Sequence, residues 1–280
     1  MEIDENNKIG FMQGRFSSTI DGRIQSFPVE NWKKEFELAE KNNFFLMEWT
    51  LDQKNLYMNP LLSSKGRDEI SYLCNLHSLS IPSITGDCFM QEPFWKADTK
   101  KIDCLKADFN AVVKACSLAG IKLIVVPLVD SGRLENSTQE NTLIEYMRQQ
   151  TDYIQSYNVR IIFESDFEPT ELARFIDRLN PNVFGINYDI GNSAAMGYYP
   201  QKELSEYGRR ILNVHVKDRV FRGTTVPLGS GAADFVSVFE GLKKINYQGN
   251  YILQTARAAD GDHVRALVKY KKFTLNLMRG

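Results

Sequence analysis

Glu164, Asp189, His215 and Gln254 each stand near the end of a short apolar run that turns polar: IIFES (161–165), GINYDIGN (185–192), NVHVKD (213–218) and YILQT (251–255). Two carboxylates, an imidazole and an amide oxygen make a mostly hard-oxygen ligand set. Such a set suits one divalent ion, Mn²⁺ or Mg²⁺, better than a structural zinc held by thiolates. An ion of this kind can chelate the carbonyl and neighbouring hydroxyl of a sugar, acidify the adjacent C–H and stabilise the enediolate that results. Glu164 is then the leading candidate for proton transfer. Taken singly, an Asp, Glu or His at a strand end is usually a cap or a loop anchor. Four at consecutive strand ends are different, because independent caps have no reason to share one depth of a fold.

The elements that would position these residues can be read along the chain. Eight strand-like runs occur in order: 9–14, 44–50, 81–86, 122–129, 159–164, 183–189, 212–217 and 250–255. Most segments between them carry helical periodicity, as in Trp32, Phe36 and Ala39, or Phe235, Val238, Phe239 and Leu242. Asp103, Thr170 and Asp234 are expected amino-terminal caps, and 264–278 is the expected closing helix. Runs such as LIVVPLV (123–129) are apolar on both faces, which fits a parallel sheet covered by helices. The predicted fold is α/β, a single (β/α)₈ TIM barrel over residues 1–280, with its active site at the carboxyl ends of the strands.

Side chains alternate inward and outward along a strand, and the alternation agrees with one polar rim. Ile162 shares a face with Glu164, Asn187 with Asp189, His215 with Lys217, and Ile252 with Gln254. Earlier strands add Gln13, Arg15, Glu48, Thr85 and Asp87 at similar positions. The expected substrate-binding residues are Gln13, Arg15, Glu48, Asp87, Arg219 and Arg257, with Lys217 placed either on a substrate oxygen or in a salt bridge to Asp189. The arginines just after strands fit a sugar phosphate. Gly229, Ser230 and Gly231 form either a backbone phosphate cradle at a helix start or a plain tight turn. CFMQEPFW (88–95) is either an apolar wall over the sugar or packing.

Composition narrows the partners. Lys plus Arg total 34 against 35 Asp plus Glu, so no net field draws the chain to nucleic acid or to an anionic membrane. The four cysteines have no CxxC pair and fit reduced thiols. The start, MEIDENNK, lacks the apolar centre of a secretory signal, and the longest apolar runs fall far short of the roughly 20 residues of a membrane span. The default expectation is a soluble cytoplasmic protein acting on a small molecule, with homo-oligomerisation left open.

The chain resembles the xylose isomerase-like TIM-barrel superfamily of sugar and sugar-phosphate isomerases and epimerases. The resemblance rests on Glu164, Asp189 and His215, on HVKD (215–218) followed by PLGSGAADF (227–235), and on the opening IGFMQGRF (9–16). It implies that the first three residues bind one divalent metal. The family's fourth ligand is a Glu on strand eight, where this chain has Gln254. An amide oxygen can still meet a metal, but it cannot act as a carboxylate base. Epimerisation in that family uses two Glu residues on opposite faces of the substrate, whereas aldose–ketose isomerisation needs one base on one face. The alternatives are a keto-inositol-type dehydratase and a sugar-binding barrel that has lost catalysis. The related endonuclease IV branch uses a His-rich trinuclear zinc site, which three histidines do not supply.

Overall fold

The computed structural model describes residues 5–20 and 22–280; the MEID start read above lies outside them. Its barrel strands are β1 (Ile9–Met12), β2 (Leu46–Thr50), β3 (Ser80–Thr85), β4 (Leu123–Leu128), β5 (Arg160–Ser165), β6 (Phe184–Asp189) and β7 (Ile211–Val216). A two-stranded ribbon, β8 (Asp218–Arg219) with β9 (Thr225–Val226), precedes the last barrel strand, β10 (Asn250–Leu253). The barrel closes in the order β1-β10-β7-β6-β5-β4-β3-β2, and every neighbouring pair is parallel. All eight expected strands are present.

The reasons lie in the side chains. β4 is apolar on both faces, whereas β6 is apolar outward and polar inward at Asn187 and Asp189; nearly every residue in both is buried, inward against the barrel interior and outward against the helices. Phe163 of β5 meets Phe175 of the helix Pro169–Asp177 edge to face, with ring centroids 5.2 Å apart. Fully burying one such ring contributes about 1.5–3 kcal/mol relative to leaving it exposed. The first strand ends two residues early because Gly14 takes φ +90°, in the region that favours glycine, and Arg15 N–H folds back to Met12 O.

Helix starts followed the capping rule with small displacements. Asp234 caps the helix Phe235–Lys244 by accepting from Ser237 N–H. Thr170 does not cap its helix, because Glu168 accepts from Thr170 N–H and Pro169 fills the first turn. Asp103 lies inside the first turn of the helix Ile102–Leu118, where its charge faces the positive end of the helix dipole. The β8–β9 ribbon was not foreseen. All four cysteines are free thiols, and among the described residues no helix is long and apolar enough to cross a membrane.

Candidate active site

Register brings the first three polar strand ends together. Asp189 and His215 are direct neighbours on β6 and β7, and β5 lies on the other side of β6. One ligand-type atom from each of Glu164, Asp189 and His215 falls within 4.8 Å of the others, and all three residues are buried. The register between β6 and β7 shifts just before this level: Ile186 pairs with Ile211 and Asn187 with Asn213, so Leu212 of β7 is the extra residue. Past the shift Asn187 stands opposite Asn213, and the two amides bond at 2.8 Å.

The carboxylates are held by amides. Glu164 Oε2 accepts from Asn187 Nδ2 at 2.9 Å and Oε1 from Asn192 Nδ2 at 2.7 Å. Asp189 spends Oδ1 on Asn192 N–H, capping the helix Ile190–Met196, and its Oδ2 lies 4.0 Å from His215 Nδ1. On Glu164 the two uncharged amide donors fix the carboxylate without supplying a counter-charge, so its charge stays available to a cation or a proton.

His215 is fully buried, and Glu48 decides which of its nitrogens faces the site. Glu48 Oε1 lies 2.7 Å from Nε2, and Oε2 accepts from Ser83 Oγ at 2.6 Å and from Asn213 Nδ2 at 3.0 Å. Nδ1 is 3.0 Å from Glu164 Oε2 and 4.0 Å from Asp189 Oδ2, yet it makes no hydrogen bond of acceptable angle. Burial alone would lower the imidazole pKa, but Glu48 and Glu164 together push it up to about 10. An orphaned ring nitrogen facing two carboxylate oxygens fits a bound divalent cation. A carboxylate on the far ring nitrogen is also the arrangement that orients a histidine ligand.

Lys217 and Gln254 meet at the rim. Lys217 Nζ donates to Asp189 Oδ2 at 3.0 Å, Asn192 Oδ1 at 3.1 Å and Gln254 Oε1 at 3.0 Å. The salt bridge to Asp189 is therefore formed, and the amide oxygen of Gln254 is turned toward an ammonium. Gly191 makes room for this arrangement, because a Cβ there would lie 2.7 Å from Lys217 Cγ.

The mouth opens into a cavity of about 550 Å³. Arg15, Asp87, Glu164, Lys217, Arg219 and Gln254 all line it. Gln13, Glu48 and Arg257 do not. Gln13 is fully buried, with Oε1 accepting from Thr50 N–H, and Glu48 lies deeper behind His215. Arg257 turns back to the loop after β1, donating to Gly14 O, Ser17 O and Ile24 O at 2.7, 2.8 and 2.5 Å. Charged hydrogen bonds are each worth roughly 1.5–3 kcal/mol when sheltered, so Arg257→Ala is expected to lower the unfolding free energy by about 2 kcal/mol after discounting for partial exposure. Equilibrium urea denaturation measures this, and a loss below about 0.5 kcal/mol would show that the loop holds without the clamp.

Two other expectations resolve toward structure. Gly229 and Gly231 N–H both donate to Asp218 Oδ2, at 2.9 and 2.8 Å, and Ala233 N–H donates to Oδ1. The backbone cradle holds an internal carboxylate rather than a phosphate. In the segment 88–95, Phe94 and Trp95 pack edge to face, Phe94 also meets Tyr146, and only Met90 reaches the cavity wall. Asn192, Asn213, Ser83, Arg133 and Arg222 were not read as site residues. A period-two signal was available for Asn213, which shares its face with His215.

Comparison with known proteins agrees with the barrel fold. The chain is 26% identical over 241 residues to the L-ribulose-5-phosphate 3-epimerase UlaE of Escherichia coli, an alignment covering 80% of this chain and 82% of that one. Among solved structures, a D-psicose 3-epimerase determined with D-fructose superposes with a TM-score of 0.76 at 12% identity, covering 98% and 100% of the two chains. The IOLI protein with a bound zinc atom superposes at 0.75 with 18% identity, covering 97% and 98%. The family model of the xylose isomerase-like TIM barrel matches residues 24–270, and the chain belongs to that family.

Proposed function

We propose that this protein is a divalent-metal-dependent isomerase or epimerase of a small sugar, keto-sugar or sugar phosphate. The observation that carries the reading is the convergence of Glu164, Asp189 and His215 on one point, with His215 Nδ1 left unpartnered there. Relatives that are sugar epimerases, on a barrel shared with them, support an enzyme of this kind.

Glu164, Asp189 and His215 would hold the ion, while the Gln254 oxygen is engaged by Lys217, and the ion would supply positive charge against the oxygens of an enediolate. Glu164 lines the cavity and takes the proton from the carbon beside the substrate carbonyl. Asn187 and Asn192 hold it in place for that transfer. Lys217 keeps Asp189 and Gln254 in position and presents positive charge at the mouth. Arg15, Arg133, Arg219 and Arg222 share the cavity wall, which favours an anionic substituent such as phosphate on the far end of the sugar.

The test has two parts. Metal-stripped protein titrated with Mn²⁺ or Mg²⁺ should gain thermal stability, by about 2.7 kcal/mol at a hundredfold excess over Kd. Asp189→Asn should lose most of that gain. In D₂O, the loaded protein should place deuterium on the carbon beside the carbonyl of L-ribulose 5-phosphate or of an unphosphorylated ketose, as seen by NMR. Ketose binding without any exchange would turn the reading toward a sugar-binding barrel.

A further inference from the structure

Gln254 leaves the end of β10 without a second proton-transfer carboxylate, and Lys217 does not fill the gap. An ammonium has three N–H donors. All three are engaged, by Asp189, Asn192 and Gln254. Of the other acids on the cavity wall, Asp166 is ion-paired with Arg133 and Asp130 is exposed. Asp87 is different. It follows β3, whereas the three ligand residues sit on the consecutive strands β5, β6 and β7. It is 5% exposed, and it lines the cavity beside Thr85 and Arg15. Its Oδ1 accepts from Thr85 Oγ1 at 2.9 Å, and among the described residues it has no ion-pair or hydrogen-bond contact with a cation.

We propose that Asp87 is the second proton-transfer group of this site, facing the substrate from the wall opposite the ligand cluster. The proposal rests on the isomerase or epimerase reading above. Glu164 removes the proton from the carbon next to the carbonyl, and the bonding pair moves into the enediolate. The neutral carboxyl of Asp87 then gives its proton to the same carbon from the other face, so that the C–H bond reforms with inverted configuration. The step ends with Glu164 protonated and Asp87 ionised, and both return by exchange with water after product leaves. The surroundings suit a proton donor. Burial first, then Asp52 from the loop after β2 and Glu164 from β5, raise the Asp87 pKa to about 7, while Thr85 and Arg15 oppose the rise.

The test is the stereochemistry of exchange in Asp87→Asn, whose side-chain oxygen can still accept from Thr85. Wild-type protein loaded with Mg²⁺ in D₂O, given L-ribulose 5-phosphate and, separately, D-fructose, should form a deuterated epimer. Asp87→Asn should form the epimer at least about 10²-fold more slowly while still placing deuterium in recovered, uninverted substrate through Glu164. In the metal-free wild-type protein, ¹³C NMR with labelled aspartate carboxyls should show a group titrating near 7 that is missing in the variant. Epimer formation by the variant within about threefold of wild type overturns the proposal, as does loss of exchange and inversion together. Exchange without any epimer in the wild type overturns it too, while leaving the proton-transfer reading standing. No exchange in the wild type with either sugar fails that underlying reading instead, and the proposal with it.

Discussion

Glu164→Gln is expected to slow hydrogen exchange at the substrate carbon by about 10³-fold, within the range that a positioned general base contributes. The glutamine keeps one oxygen for an amide donor but presents an NH₂ to the other. The donors are Asn187 Nδ2 and Asn192 Nδ2, so one of them loses its acceptor whichever way the amide turns. That mismatch costs about 1–3 kcal/mol, which a barrel of this size tolerates. The folded variant should therefore be nearly inert in the deuterium assay while unfolding cooperatively in urea. Exchange within about tenfold of wild type would remove Glu164 from the chemistry and leave it a ligand alone.

The second large effect is expected where no substrate reaches. Glu48 is fully buried behind His215, and its two oxygens answer His215 Nε2, Ser83 Oγ and Asn213 Nδ2. In Glu48→Gln an NH₂ must replace one of those acceptors. Turned toward His215, it drives the ring proton to Nδ1, the nitrogen that faces Glu164 and Asp189. Turned the other way, it meets two donors. Either outcome weakens Mn²⁺ affinity by about 10–100-fold, the usual effect of losing the partner of a histidine ligand. Breaking the buried pair should also cost the metal-free protein about 3 kcal/mol or more. Isothermal titration with Mn²⁺ and urea unfolding measure the two effects separately. Unchanged affinity would mean that His215 needs no partner to present its ring.

The barrel was legible because its signal is repeated eight times. Each strand is a short apolar run, most following segments have a helical stripe, and the inward row turns polar only near its carboxyl end. The same alternation found Glu164, Asp189, His215, Lys217 and Gln254 and placed Asp87 and Arg15 on the rim. Period-two alternation reports which face a side chain takes, but it does not report depth along the barrel axis. Gln13 and Glu48 point inward as read, and they end below the cavity because β1 and β2 set them deeper. Arg257 shows a different limit. A long side chain beginning at a strand end can reach forward to a ligand or back to a loop, and Arg257 reaches back to three carbonyls after β1. The glycines at 229 and 231 were visible as a cradle, but the occupant was not. A Cβ at Gly231 would sit 2.2 Å from Asp218 Oδ1, so Gly231 serves the close approach of that carboxylate, whereas Gly229 takes φ +81°.

The amides beneath the site also bear on transplanting it. Asn213 bridges Glu48 to Asn187, and Asn187 passes the contact to Glu164, so β2, β7, β6 and β5 are tied in one line of side-chain hydrogen bonds. A designer who grafted only Glu164, Asp189 and His215 onto another eight-stranded barrel would copy the ligands without the scaffold that aims them. The aliphatic layer of a host would leave those carboxylates buried and unanswered, a costly arrangement in an apolar interior. The portable unit is thus the triad together with Glu48, Ser83, Asn187, Asn192 and Asn213, and the shifted register between β6 and β7 must travel with it.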